Sequence, residues 1–228
     1  MEAIILAGGF GTRLHSVIRD IPKPMAPIQG KPFLEILLAN LHKKGFKRVI
    51  LSLGFMSNFI QSYFESSFLG MEIIYSIEDE PLGTGGAIKL ALKYAKNDHV
   101  FIFNGDTFLD LEILDIETLW LKHKKPILVA IKVQDSSRYG GVEVDAGVLV
   151  SFAEKCNQTS ELINAGCYVL PKNQLANFTK PFNRFSFEQD YLSSYKGQIQ
   201  VFISKGLFID IGIPKDFQNA QNLLLNFI

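Results

Sequence analysis

The first half of this chain alternates short apolar runs with amphipathic helical stretches, and that alternation constrains the fold more than any other feature. Ala3-Ile4-Ile5-Leu6 runs into Gly8-Gly9, the pattern of a buried strand feeding a tight loop. Phe33, Leu34, Leu37, Leu38 and Leu41 recur at helical spacing through Lys44, and Gly45 follows as a natural helix stop. Val49-Ile50-Leu51 reads as a second strand, and Ser57 opens a helix with Phe59, Ile60, Tyr63 and Phe64 on its apolar face. Ile73-Ile74-Tyr75 gives a third strand, residues 85–96 another helix, and Val100-Phe101-Ile102-Phe103 a fourth strand stopped by Asn104-Gly105-Asp106. Apolar strands joined by helices predict a mostly parallel sheet covered on both faces.

Beyond about residue 126 the rhythm changes. Residues 127–133, 141–144, 148–152 and 167–170 read as short, closely spaced strands, suited to antiparallel additions. Ser186 and Gln189 form a capping-box pattern for a short helix reaching Tyr195. Pro214 stands at a first-turn position ahead of Phe217, Ala220 and Leu224. The pattern predicts an α/β fold of three layers, Rossmann-like, with a mostly parallel mixed central sheet and a small antiparallel addition. With no internal repeat and no linker rich in Gly, Ser or Pro, residues 1–228 are expected to form one domain of two lobes, about 1–125 and about 126–228.

Composition excludes several classes. Hydrophobic residues make up 47% and charged residues 20%, enough apolar surface for a packed core. The formal net charge is +0, so no global field draws the chain to nucleic acid or to an acidic membrane. Anionic ligands must be held by local Lys, Arg and backbone N–H groups. Cys156 and Cys167 are too far apart for a CxxC zinc site and read as buried thiols in a reducing compartment. The N-terminus enters an apolar strand without a signal-peptide pattern, and no apolar run approaches the roughly 18 residues of a membrane span. A cytoplasmic protein is expected.

The turn Leu6-Ala7-Gly8-Gly9-Phe10-Gly11-Thr12-Arg13-Leu14 carries the chemistry. Its glycines let the backbone bend sharply and bring N–H groups close to phosphate oxygens. Two familiar phosphate loops fail on the letters. A dinucleotide fingerprint needs glycine where Leu14 stands and an acidic residue where Leu53-Gly54 stands. A Walker loop needs Gly-Lys-Ser/Thr, and Gly8 leads instead to Arg13-Leu14. Arg13 offers a planar fork to phosphate, and Lys23, held between Pro22 and Pro24, offers a point charge. Asp106 ends an apolar strand at the edge where open α/β sheets bind ligands, and Asp210 is a charge embedded in Phe208-Ile209-Asp210-Ile211. Two such carboxylates converging would suit Mg²⁺.

The glycine turn, followed by Pro22-Lys23-Pro24-Met25 and Gly30-Lys31-Pro32, resembles the signature of the sugar-1-phosphate nucleotidyltransferases, with further matches reaching residue 216. The resemblance implies substrates, an NTP and a sugar 1-phosphate, and a Mg²⁺ cofactor. It assigns Arg13 and Lys23 to catalysis, Asp106 and Asp210 to the metal, and the two lobes to nucleotide and sugar. Leu6, Ala7, Gly8, Gly9, Gly11 and Thr12 would hold the nucleotide, together with the second loop, Pro81, Gly83 and Thr84. A carboxylate accepts from guanine N1–H and the 2-amino group together, so Glu78 or Glu80 is expected to select guanine. Tyr139, Gly140 and Gly141, the pair Glu154-Lys155, Asn164, Glu188 and Asp106 would serve the sugar phosphate, although Glu188 also reads as a first-turn acid favoured by the helix dipole.

Within that family, Arg13-Leu14-His15-Ser16-Val17 departs from a pattern with Pro at the position of Ser16. That departure, with Ser136-Ser137-Arg138-Tyr139-Gly140, most resembles the D-glycero-D-manno-heptose 1-phosphate guanylyltransferases, which supply GDP-heptose for bacterial surface glycans. Mannose 1-phosphate guanylyltransferase and glucose 1-phosphate thymidylyltransferase remain alternatives, as does a catalytically silent sugar-nucleotide sensor. The chain also lacks a C-terminal β-helix, so no acyltransferase activity is expected, and a homodimer is a family-level expectation.

Overall fold

The computed structural model describes residues 1–9, 11, 14, 21–153 and 161–228. Its centre is a ten-stranded mixed sheet. Strand β1 (Glu2–Leu6) lies between two parallel neighbours, β4 (Arg48–Leu53) and β7 (His99–Asn104), and β6 (Met71–Ile77) extends the parallel set beyond β4. Short β2 (Pro27–Ile28) and β3 (Lys31–Pro32) form a separate hairpin, and β5 (Ser67–Phe68) closes the outer edge against β6. β1, β4, β6 and β7 are the strands expected from the apolar runs, while β2, β3 and β5 lie outside that expectation; helices α1 (Phe33–Lys43), α2 (Ser57–Phe64) and α3 (Gly83–Ala91) lie between them in the chain.

The second half continues the same sheet. β12 (Leu162–Pro171) pairs antiparallel with β7, and β9 (Ile127–Lys132) pairs antiparallel with β12. Outward follow β13 (Gln200–Ser204), parallel to β9, then β11 (Val148–Ala153) and β10 (Gly141–Asp145), each antiparallel to its inner neighbour. Seen across the sheet, β5, β11 and β12 run against all the others. The mostly parallel mixed sheet is therefore as expected, and the antiparallel strands enlarge it rather than standing apart.

Alternation along each strand feeds two cores. Ala3 and Ile5 of β1 face the layer of α1, α2, α4 (Ile113–His123) and α5 (Pro214–Leu223), with Phe33, Leu37, Ile60, Trp120 and Ala220 buried there. Ile4 faces the opposite layer, where Ile88 and Ala91 of α3 pack with Phe187 and Tyr191. One-residue alternation thus produces the three layers. Glu2 is buried at the base of the sheet because Arg48 neutralises it at 3.0 Å and the Lys96 and Asn97 amides donate to it.

Some local expectations shift. Met56, in a left-handed conformation (φ +56°), rather than Ser57, caps α2, and Phe59 and Tyr63 are partly exposed while Ile60 and Phe64 go inside. Ser186 does cap the following helix, its Oγ accepting from the Gln189 amide at 3.1 Å. Its own amide donates to Asp190 at 2.9 Å, and the six residues Phe187–Leu192 wind as a π-helix. Pro214 opens α5 and Ala220 and Leu224 are buried, as the spacing predicts.

Candidate active site

The carboxyl ends of β1, β4, β6 and β7 open into a cleft of about 650 Å³. Its walls gather Leu6, Ala7, Gly8, Gly9, Gly11, Lys23, Glu78, Glu80, Pro81, Gly83, Thr84 and Asp106. The described part of the predicted nucleotide set is thus in one place. Arg13 and Thr12 lie outside the described residues, as do Glu154, Lys155, His15, Ser16 and Cys156.

Close contacts explain Gly8 and Gly11, whereas a Cβ on Gly9 would meet nothing within 4 Å. A Cβ on Gly8 would meet the Gly54 nitrogen at 2.8 Å, because the loop after β4 crosses directly over the turn after β1. Gly11, at φ +61°, leaves room for Lys23, whose Cβ stands 2.8 Å from where a side chain would begin. Lys23 sits on a short 3₁₀ turn, Lys23–Met25, so its flanking prolines do fix it at the cleft. Its ammonium reaches Asp106 Oδ2 at 2.5 Å, with the lysine side chain only 9% exposed and the aspartate 32%.

Asp106 and Asp210 come together through a two-stranded ladder. β8 (Thr107–Leu109) and β14 (Phe208–Asp210) pair antiparallel, placing Asp210 opposite Thr107, and the Ile211 amide donates to the Asp106 carbonyl at 3.0 Å. Asp210 Oδ1 accepts from the Gly212 amide at 2.6 Å, which fixes the carboxylate. Arg138 and Tyr139 stand close by. The Arg138 guanidinium binds Asp216 at 2.6 Å, donates to the Tyr139 hydroxyl at 3.0 Å and lies over its ring. Burial first, then the negative charge of Asp210, pushes the Tyr139 hydroxyl up to about 12, so it stays a neutral donor at physiological pH.

The remaining described residues of the predicted sugar-phosphate set lie beside the cleft, and Asn164 and Glu188 belong to one hydrogen-bond network. Asn164 Nδ2 donates to the buried Tyr168 hydroxyl at 2.7 Å, and that hydroxyl donates to Glu188 Oε1 at 3.1 Å. Glu188 Oε2 accepts from Thr84 Oγ1 at 2.6 Å and from Ser186 Oγ at 3.1 Å. Glu188 is thus engaged with a cleft residue as well as standing in a first helical turn. The Gly140 carbonyl accepts from the Asn164 amide at 2.9 Å, and Gly141 pairs with Ala153 and Ile163. These residues do not line the nucleotide cleft; they stand beside it.

A family model described as nucleotidyl transferase matches residues 2–226. The chain belongs to the nucleotidyl transferase family. Among curated relatives, it is 47% identical to the D-glycero-alpha-D-manno-heptose 1-phosphate guanylyltransferase of Campylobacter jejuni, over 95% of this chain and 97% of that one. The enzyme of the same name from Aneurinibacillus thermoaerophilus is 42% identical over the full length of both. The crystal structure of HddC from Yersinia pseudotuberculosis superposes with a TM-score of 0.88 at 39% identity, covering 98% of this chain and 99% of that one. HddC has also been solved in complex with GMP-PN, with a TM-score of 0.87.

Within this nucleotidyltransferase, Glu78 is distinctive. Burial raises its carboxyl above the ordinary range, and the Leu82 amide, donating at 2.9 Å, opposes that shift. Glu78 is thus an acid held at a desolvation cost in the cleft wall. Sequence reasoning missed Phe55, Asn104, Arg138 and Tyr168. Arg138 and Tyr168 each adjoin a motif that was read, so proximity to Tyr139 and Asn164 was the available signal. Phe55, just past β4, and Asn104, the last residue of β7, line the cleft because parallel register ends both strands beside β1.

Proposed function

We propose that the protein transfers the GMP moiety of GTP to D-glycero-α-D-manno-heptose 1-phosphate, giving GDP-heptose and pyrophosphate. The observation that carries this is the convergence of the glycine turn, Lys23, Glu78 and Asp106 on one cleft, with Asp210 held on the strand paired to the segment after Asp106. The relatives of that name, and the GMP-PN complex of HddC, support GTP and the heptose phosphate as substrates.

The sugar phosphate monoester has a second pKa near ~6 and is mostly a dianion at neutral pH, so it needs no general base. An oxygen of that dianion attacks the α-phosphorus of GTP. The new P–O bond forms as the α–β bridging bond breaks, and the electron pair leaves with pyrophosphate. The chain's task is to hold two anions together. The Gly8–Gly9 backbone approaches the phosphates without side-chain obstruction. Lys23 exchanges its ion pair with Asp106 for the phosphate charge, and Arg13 is assigned a matching role. Glu78 takes the guanine N1–H and 2-amino donors, with Glu80 on the same wall.

Asp106 and Asp210 would hold the metal. Among the described residues no group of three or more His, Cys, Asp or Glu gathers, but two carboxylates on neighbouring segments would offer the hard oxygen donors Mg²⁺ prefers, with phosphate and water completing its shell. When bound, the cation supplies charge neutralisation at the phosphate oxygens. On the sugar side, Tyr139, Gly140, Gly141, Asn164, Glu188, Glu154 and Lys155 are assigned to heptose 1-phosphate. Among the described residues no helix is long and apolar enough to cross a membrane, in keeping with small soluble substrates.

The test is pyrophosphate release measured over GTP, ATP, UTP, CTP and dTTP, each with heptose, mannose and glucose 1-phosphates. GTP with the heptose phosphate is expected to give the highest kcat/KM. Preference for another base or another sugar would overturn the assignment at that position.

A further inference from the structure

We propose that Tyr168 is a positioning residue for the transfer, its hydroxyl holding the sugar-side Asn164 and, through Glu188, the nucleotide-side Thr84 in one fixed arrangement. This rests on the function proposed above and adds to it a residue too deeply buried to touch either substrate. Four side chains form one hydrogen-bond relay. Asn164 Nδ2 donates to the Tyr168 hydroxyl at 2.7 Å, and that hydroxyl donates to Glu188 Oε1 at 3.1 Å. From the other end, Thr84 Oγ1 donates to Glu188 Oε2 at 2.6 Å. Tyr168 has no exposed surface, so its hydroxyl is satisfied inside the protein, as acceptor to one partner and donor to the next. Burial, and then the charge of Glu188, hold that hydroxyl well above the usual tyrosine range, so it keeps the proton it donates. The Tyr168 ring packs edge-on against Phe187, centroids 4.8 Å apart, a contact that phenylalanine would keep. The oxygen therefore serves the relay and not the packing.

Both ends of the relay reach the cleft. Asn164 begins an irregularity in β12, where the register against β9 shifts between Asn164 and Cys167. The Gly166 amide donates to Asn164 Oδ1 at 3.0 Å, and a Cβ on Gly166, at φ +66°, would meet Asn104 Nδ2 at 2.5 Å. Asn104 lines the cleft, so the segment that carries Asn164 abuts its wall. Thr84 lines the cleft directly, and its loop is seated on the segment that leads into Glu188. The Phe185 amide donates to the Leu82 carbonyl and the Gly85 amide to the Phe185 carbonyl, both at 3.0 Å, while the Phe187 amide donates to Thr84 Oγ1 at 2.9 Å. A Cβ on Gly83 would meet the Phe185 carbonyl oxygen at 2.6 Å, and Cβ atoms on Gly85 and Gly86 would collide with Phe185 and Asn183. The glycines of the second loop thus admit that segment at backbone distance. In-line attack needs the sugar phosphate oxygen aimed at the α-phosphorus, and a misplacement of about 1 Å costs on the order of 10² in rate. A relay that fixes Asn164 relative to Thr84 acts on that alignment, so its loss falls on kcat and spares the binding of each substrate alone.

The experiment compares wild type with Tyr168→Phe, Thr84→Val, Thr84→Ser and the double variant Tyr168→Phe/Thr84→Val. It reads kcat and the KM values for GTP and heptose 1-phosphate, normalised to folded protein, beside Tm. Tyr168→Phe is expected to lower kcat about ten- to a hundredfold while both KM values stay within about threefold of wild type. Thr84→Val should lower kcat comparably, Thr84→Ser, which keeps the hydroxyl, should stay near wild type, and the double variant should be little slower than the slower single one, since both changes break one relay. A lowered Tm with wild-type kcat in Tyr168→Phe would mean that the residue only supports the fold, and would overturn the proposal. Fully additive losses in the double variant would overturn it as well. Should Tyr168→Phe fail to fold, the Thr84 pair decides, and equal kcat in Thr84→Val and Thr84→Ser would overturn the relay. Failure of wild type to release pyrophosphate from GTP with any sugar 1-phosphate would instead sink the underlying function.

Discussion

Single residues in this protein carry opposed demands of folding and chemistry, and Glu78 shows the conflict most clearly. Its carboxyl is raised by burial, so the folded state keeps a proton over a pH window in which the unfolded chain has lost it. Above that window the charge is buried at a cost; stability therefore falls as pH rises through it. Guanine recognition needs the charged form. Glu78→Gln is expected to raise Tm at neutral pH and to flatten the slope of stability against pH. The same change should erode the preference for GTP, since an amide cannot accept from both guanine donors while receiving the Leu82 amide. A thermal unfolding series across pH, beside turnover with GTP and ATP, checks both halves. In wild type, KM for GTP is expected to rise as pH falls through the elevated Glu78 value. Lys23 makes a simpler case. Its ammonium is the described cation that meets Asp106 in the cleft, and Lys23→Ala should cost about 10²–10³ in kcat. Near-normal turnover would remove its role.

At the scale of elements, the structure shows which parts of the fold were legible. The first four parallel strands and their helices could be read because each apolar run is continuous and each helix repeats at its own period. Gln200–Ser204 could not be read in the same way. β13 mixes polar and apolar residues with no clean period, burying Gln200, Val201 and Ser204, and pairing with β9 makes it a strand. The β8–β14 ladder was equally hidden, because two three-residue strands gain their meaning from each other. The letters could nominate Asp106 and Asp210, but not show that a ladder pairs the segment following Asp106 with the one that ends in Asp210. Likewise the capping signal at Ser186 was correct, while the π-helical winding came from the Asp190 and Glu188 contacts around it. Ser186→Ala removes the cap on the Gln189 amide and the donor to Glu188. It should lower stability by about 1 kcal/mol, seen as a shift in denaturant midpoint with an unchanged slope.

At the scale of the whole molecule, one sheet runs through both halves of the chain, and a polar contact joins them again near the cleft, where Thr84 bonds Glu188. Within the second half, Arg138 bonds Asp216 on the helix that follows Asp210. The site is an assembly of distant segments, in which Gly8, Lys23, Glu78 and Asp106 meet only after the sheet is complete, and a ladder brings the segment of Asp210 beside that of Asp106. Stripping divalent metal with EDTA should abolish pyrophosphate release without unfolding the protein, and added Mg²⁺ should restore it. The most direct test is a double-mutant cycle with Asp106→Asn, Asp210→Asn and the pair, read as kcat for pyrophosphate release at saturating GTP and heptose 1-phosphate. Two carboxylates serving one ion act as a unit. Each single change is therefore predicted to cost about 10²–10³, and the double little more than either. Fully additive losses, or an Asp210→Asn enzyme as active as wild type, would contradict a shared metal site.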